Sequence, residues 1–317
     1  MITIDVEPDC SSNWHYADPL SFNGISVGIG QILQPLFNKF NAAPTYLLNN
    51  VVIEDTKSVG ILQGLEGRFE LGAHLHPEFI EPGKQFENYA GKKGAANSCF
   101  YPPEIEFEKI KNITNLFANK FGYRPTSFRT GRYSAGPNTI DSLSRLGYLV
   151  DTSVTPHVCW NDATREKPVD FRFAPEQPYF MNKENLILED KNGDLLQVPI
   201  SIELKKRIWL KEALFSMGGF RRPIQKYRPI WLRPYFSSPK QLIEIANHYF
   251  EKYRDREYVV LNMMFHNVEV MPGLSPYTAS EKDCQEYLMA LTQFLKFCQQ
   301  EKAESLPLSD IYHVVRK

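Results

Sequence analysis

Residues 69–79 read FELGAHLHPEF, with His74 and His76 two apart at the end of a run that alternates like a strand and just ahead of Pro77. Residues i and i+2 of an extended chain project from one face, so both imidazoles can address a single point at a strand's end. Such a pair suits a divalent metal, although two histidines on a solvated loop would look the same locally. The surrounding chain decides between these readings.

On either side, strand and helix alternate. MITIDV opens as a short β-branched strand, followed by a polar loop containing Trp, His and Tyr to about residue 22. Helical spacing follows in ISVGIGQILQPLFNKFNA, a buried strand in PTYLLNNVVI, a short helix in TKSVGILQGLEG and the strand RFELGAH. The pattern continues with a helix over 104–121, the strand TSFRTG, a helix over 137–146 ended by Gly147, and the strand YLVDTSV. Between about 155 and 238 prolines, aromatics and arginines loosen the rhythm. A strand pair is expected around LILEDKNGDLLQVPI, with turn chemistry at Lys191, Asn192 and Gly193. Helices over 239–252 and 280–299 then flank the strand YVVLNMMFHN. This alternation predicts an α/β fold with parallel strands. No linker or repeat divides it, so residues 1–317 read as one domain with a long insertion at about 155–238.

In such sheets and barrels the chemistry sits at the carboxyl ends of the strands. Ionisable groups close five of the expected strands: Asp5 and Glu7, His74 and His76, Arg129, Asp151, and His266. Together they suggest one site.

Composition excludes several function classes. Of 317 residues 43% are hydrophobic, and 36 Lys and Arg nearly balance 37 Asp and Glu, so no basic excess points to nucleic acid. Five scattered cysteines without a CxxC fit free thiols in a reducing compartment. Neither a signal peptide nor a transmembrane segment of about 18 apolar residues is visible, and the expected location is cytoplasmic.

Five motifs in order, TIDVEPD, GAHLHPE, SFRTGRYSAG, LGYLVDTSVTP and VVLNMMFHN, resemble those of the polysaccharide deacetylases of NodB-homology type, carbohydrate esterase family 4. FHNVEVMPGLSPYT resembles the branch associated with surface-polysaccharide synthesis. The resemblance implies a distorted (β/α) barrel binding a divalent metal, usually zinc, through one carboxylate and two histidines. By position, Asp5 is similar to the family's general base and Glu7 to its metal carboxylate, although the family's acids are usually adjacent aspartates. Asp9 is an alternative ligand. His74 matches the first metal histidine. The second is normally four residues later, where Glu78 stands here, so His76 and Glu78 compete as third ligand.

The same resemblance makes Arg129 the residue that orients the catalytic aspartate, Asp151 the one that tunes the catalytic histidine, and His266 the general acid. Tyr133 falls where a backbone amide stabilises the oxyanion, and Arg132 can face a phosphate or carboxylate of the substrate or lie in solvent. His157 or Trp160 can be brought near the site by an alignment gap. Leu261 and Met264 either line an acetyl pocket or pack the core. Trp209, Trp231 and Tyr235 are candidates for stacking on sugar rings.

The expected function is metal-dependent removal of an N-acetyl or N-formyl group from an amino sugar, with an N-acylated sugar or glycan precursor as partner. Hydrolysis of a cyclic amide or ureide on the same fold, or a non-catalytic carbohydrate-binding barrel, are the alternatives.

Overall fold

The computed structural model of the chain describes residues 1–84, 95–206, 227–235 and 238–317; Trp209 lies outside them. Strand β1, Ile2–Val6, is buried along its whole length, because the sheet it belongs to is covered on both faces. Ile2, Ile4 and Val6 enter the main hydrophobic core, while Thr3 and Asp5 alternate to the other face. Parallel to β1 lie β2 (Thr45–Asn49), β3 (Glu70–Leu75), β4 (Ser127–Thr130) and β5 (Val150–Asp151).

The short strands β6 (Cys159–Trp160) and β7 (Val169–Asp170) form a separate antiparallel pair. β8 (Tyr179–Phe180) and β9 (Leu196–Gln197) return to the main sheet, while β10 (Ile202–Lys206) and β11 (Tyr227–Trp231) pair with each other. β12 (Met263–His266) closes the order β12-β1-β2-β3-β4-β5-β9-β8. The result is a curled, mostly parallel eight-stranded sheet, a distorted barrel left open between β12 and β8.

The helices form the outer layer. A π-helical segment, Gly24–Leu33, runs into α1 (Gln34–Lys39), and α2 (Asn50–Glu54) and α3 (Thr56–Gln63) follow β2. Then come α4 (Pro103–Phe121), α5 (Pro137–Leu146), α6 (Pro239–Lys252), α7 (Glu281–Gln300) and α8 (Leu308–Val315). α5 stops where expected, because Gly147 takes the left-handed conformation (φ 83°) that a side chain would disfavour.

Two expectations need correction. PTYLLNNVVI is not one strand: Asn49 ends β2 and caps α2 by accepting the Val51 N–H at 2.9 Å. The strand pair around 186–200 takes its first strand from Tyr179–Phe180 instead. The Asn182 and Asn185 side chains hold the intervening backbone in turns, accepting the N–H of Glu184 (2.9 Å) and of Ile187 (3.2 Å). Within the region 155–238, β8 and β9 belong to the central sheet.

Candidate metal centre and active-site cleft

The parallel register sets the chemistry side by side at the carboxyl end of the sheet. Asp5 is level with His266, Asn49 with His74, and His74 with Arg129. Glu7 continues the face of Thr3 and Asp5 just past β1, and His76, still extended (φ −100°, ψ 99°), continues that of His74 past β3. Nε2 of His76 lies 2.9 Å from Glu7 Oε1 and 3.2 Å from Nε2 of His74, which is itself 3.2 Å from the same carboxylate oxygen. All three residues are buried.

The outer nitrogens show which atoms face inward. His74 Nδ1 is 3.2 Å from the Arg129 carbonyl, which can only accept, so Nδ1 donates there and Nε2 is the ring atom turned toward Glu7. His76 Nδ1 faces Glu78 Oε1 at 3.5 Å in the same sense. Glu78 thus stands behind His76 rather than beside Glu7. Three lone-pair atoms converging in a buried space call for a cation, and the set of one carboxylate and two imidazoles is a fitting one for zinc. Burial disfavours charge on His76, but Glu7 and Glu78 outweigh it and push the imidazole up to about 10, so a cation bound here would take the place of the His76 proton.

Close approach of His76 requires Gly131. A Cβ there would sit 2.9 Å from Cδ2 and Nε2 of His76 and 3.0 Å from the Leu75 carbonyl. Tyr16, on the polar loop after β1, donates to Glu7 Oε2 at 3.0 Å and fixes that carboxylate. Asp9 is engaged elsewhere. It accepts from Ser21 Oγ and from the backbone N–H of Asn23 (2.8 Å each) and of Gly24 (2.7 Å), anchoring the start of the helical segment.

Asp5 and Arg129 form a fully buried pair, Nη1 donating to Oδ1 at 2.6 Å. Arg129 is held in turn by the Thr152 carbonyl (2.9 Å) and Thr3 Oγ1 (2.7 Å). Burial would raise the Asp5 carboxyl, but Arg129, His74 and His266 outweigh it and hold it below its ordinary value. Asp5 Oδ2 lies 3.9 Å from Nε2 of both His74 and His266.

His266 is positioned differently from the expectation. Its carboxylate neighbours are Asp5, Glu7 and Glu269, and Asp151 is not among them. The Asp151 carboxylate accepts from Ser153 Oγ (2.7 Å) and N (3.0 Å), and burial pushes it up to about 6. Its side chain stabilises the chain after β5 instead. Glu269 Oε1 accepts from His266 Nδ1 at 2.9 Å and from its backbone N–H at 2.8 Å. Arg233 is bonded to the same carboxylate and lies 3.1 Å from Nδ1. A guanidinium cannot accept, so the Nδ1 proton goes to Glu269 and Nε2 is left facing Asp5 and Glu7.

A cavity of about 520 Å³ opens over these groups, with Met264, Thr130, Arg132, Tyr133, Trp160 and Trp231 among its walls. Trp160 stacks on Tyr133 (5.3 Å between centroids) and meets Trp231 edge-on at 6.2 Å. His157 is directed to Glu176 at 2.7 Å, Leu261 packs against the core, and Tyr235 stacks on Tyr277 at 4.3 Å.

Sequence reasoning missed Trp14, whose ring lies 4.7 Å from that of His266, and also Tyr16, Arg165, Arg233, Glu269 and Tyr277. Only Glu269 carried a local signal, its i+3 spacing from His266 being that of a capping box.

Among solved structures, the chain is similar to one described as a glycoside hydrolase/deacetylase from Parabacteroides distasonis, with a TM-score of 0.61 at 10% identity over 99% of this chain and 70% of that one. It is also similar to structures described as polysaccharide deacetylases from Mycobacterium smegmatis (TM-score 0.52, 14% identity, 93% and 78% covered) and Pseudomonas aeruginosa (TM-score 0.50, 12% identity, 98% and 88% covered). The chain has the polysaccharide-deacetylase fold. No family model and no curated protein matches the sequence. At these identities the likeness is one of architecture: the deacetylase fold accounts for the open, curled sheet and for strand ends gathered over one cleft. Among the described residues no helix is long and apolar enough to cross a membrane.

Proposed function

We propose that the protein is a metal-dependent hydrolase that removes an N-acetyl or N-formyl group from an amino sugar of a glycan or glycan precursor. The observation that carries this reading is the convergence of Glu7 Oε1 with Nε2 of His74 and His76, with Asp5 and His266 both 3.9 Å from atoms of that cluster. Glu7, His74 and His76 would hold the ion. A divalent cation there supplies Lewis acidity, polarising the acyl carbonyl and acidifying a water.

The chain's own residues supply the rest. Asp5, kept ionised and aimed by Arg129, accepts the proton of the attacking water. His266, with Nδ1 tied to Glu269, presents Nε2 to the cleft and delivers a proton to the leaving nitrogen, since an amine leaves poorly as an anion. The aromatic wall of Tyr133, Trp160 and Trp231 offers faces for a sugar ring and excludes water from one side of the reaction. A hydrolase of this kind needs a carboxylate to take a proton and an imidazole to give one, and Asp5 and His266 offer these two groups to the cleft.

The test is release of primary amine from N-acetylglucosamine oligomers and N-formyl amino sugars by zinc-loaded protein. Amine release that stops on chelation and returns with zinc is expected. Zinc-loaded protein that releases amine from neither substrate would overturn the assignment, and activity on cyclic imides alone would move it to ring opening.

A further inference from the structure

Glu269 holds one edge of the His266 ring, but χ2 of a histidine is a broad, soft torsion. A single bond at Nδ1 leaves the imidazole able to rock about it and carry Nε2 across the cleft. The ring is packed by a residue that neither binds the metal nor moves a proton. The Trp14 ring centroid lies 4.7 Å from that of His266, at 52° between planes, and Trp14 lines the same cleft.

Trp14 is itself held in an uncommon state. Its φ of 64° lies in the left-handed region, which non-glycine residues adopt rarely and keep only where the surroundings enforce it. Residues 10–16 make a tight hairpin closed by the bridge between Cys10 and Tyr16. Within it Ser11 N donates to the His15 carbonyl at 2.8 Å and Trp14 N to the Ser11 carbonyl at 3.0 Å. The base is anchored in the fold, Cys10 Sγ to the Leu274 carbonyl at 2.9 Å and Tyr16 to Glu7 at 3.0 Å. Ser11, Ser12, Asn13 and His15 at the tip are exposed, whereas Trp14 is half-buried.

The contacts of Trp14 close a circuit around the imidazole. Its indole meets Tyr277 edge-on at 5.4 Å, and the Arg233 guanidinium lies 4.8 Å from the Tyr277 ring centroid. Arg233 is bonded to Glu269, which accepts from His266 Nδ1. A turn position that glycine or asparagine would fill without strain therefore carries a tryptophan, and what the strain secures is this packing against His266.

We infer that Trp14 is a positioning residue for His266, packing on the imidazole so that Nε2 stays directed into the cleft while it delivers its proton. The inference rests on the deacylase reading for the group that receives the proton.

Steady-state rates of zinc-loaded Trp14→Ala and Trp14→Phe, on an N-acetyl amino sugar and on an activated aryl acetate, test it. Trp14→Ala should lower kcat on the amide about tenfold or more, with KM within about threefold, and leave the ester nearly unchanged. Trp14→Phe keeps an aromatic face and should recover most of the loss. In a His266→Ala background Trp14→Ala should cost nothing further, because it acts through the imidazole. A raised KM with kcat unchanged would overturn the inference and make Trp14 a sugar platform, and losses that add in the double variant would overturn it as well.

A second readout needs no turnover. In zinc-loaded protein carrying isotope-labelled histidine, the Nδ1 proton of His266 is the nuclear magnetic resonance signal that His266→Ala lacks. It should exchange with water about tenfold or more faster in Trp14→Ala, where the ring is free to rock away from Glu269. Unchanged exchange would overturn the positioning role even if amine is released. Faster exchange in Trp14→Ala of a protein that releases no amine would sink the deacylase reading alone.

Discussion

Glu269 Oε1 stands 2.9 Å from Nδ1 of His266, and the same carboxylate is bonded to Arg233 and, at 3.1 Å, to Tyr287. This buried network fixes which imidazole nitrogen faces the cleft. Glu269→Gln should therefore keep zinc but lower kcat on an N-acetyl substrate by about ten- to a hundredfold, through a misoriented His266. His266→Ala should lose about two to four orders of magnitude on the amide and much less on an activated aryl ester, whose leaving group needs no proton. Equal losses on amide and ester would show that His266 places the substrate instead.

The two buried acids should fail differently. Asp5→Asn keeps the bond to Arg129 but cannot accept a proton, so zinc content should stay near one per chain while turnover is lost. Glu7→Gln should lose zinc first. Elemental analysis of both variants beside their turnover rates separates the roles, and the reverse pattern would exchange base and ligand.

Zinc affinity should depend on Gly131, a residue that offers no ligand atom. The methyl group of Gly131→Ala would fall 2.9 Å from Nε2 of His76, so either the imidazole or the β4 end must shift. We expect zinc affinity to fall at least tenfold, with His74→Ala and His76→Ala falling further and Glu78→Gln by less than any of these. Competition with a chromophoric chelator measures all four, and undiminished affinity in Gly131→Ala would mean His76 is not a ligand.

A pH effect away from the cleft is expected at Glu106. It is fully buried between Ser98 Oγ (2.8 Å) and Thr139 Oγ1 (2.5 Å), and burial pushes its carboxyl from 4.5 up to about 7. A proton held more tightly by the folded than by the unfolded chain stabilises the fold while it is bound. That contribution is full below pH 4.5 and is lost as pH rises through 7. Wild-type stability should thus decline by about 3 kcal/mol relative to Glu106→Gln between pH 4.5 and 8. Denaturant titrations of both proteins across that range check it, and parallel curves would show that Glu106 is ionised in the fold.

What the sequence determined by itself was the order of the layers and the strand ends that carry chemistry. Periodicity is local, so β1, β3, β4 and the helices α3 to α7 were legible from spacing alone, and i, i+2 alternation already put Asp5 with Glu7 and His74 with His76. Local side-chain competition was harder to read, which is why Asn49 ended a strand where β-branched residues suggested that it continue. Tertiary structure decided the partners. It set Glu269 rather than Asp151 against His266, placed Glu78 behind His76, and brought Arg165 to the carbonyl of Arg132. Arg129 meets Asp5 across 124 residues, a pairing that the resemblance of the motifs implied but that spacing along the chain does not encode. Only the parallel register of the sheet, which puts Asp5 beside His266 and His74 beside Arg129, turns separate strand ends into one site.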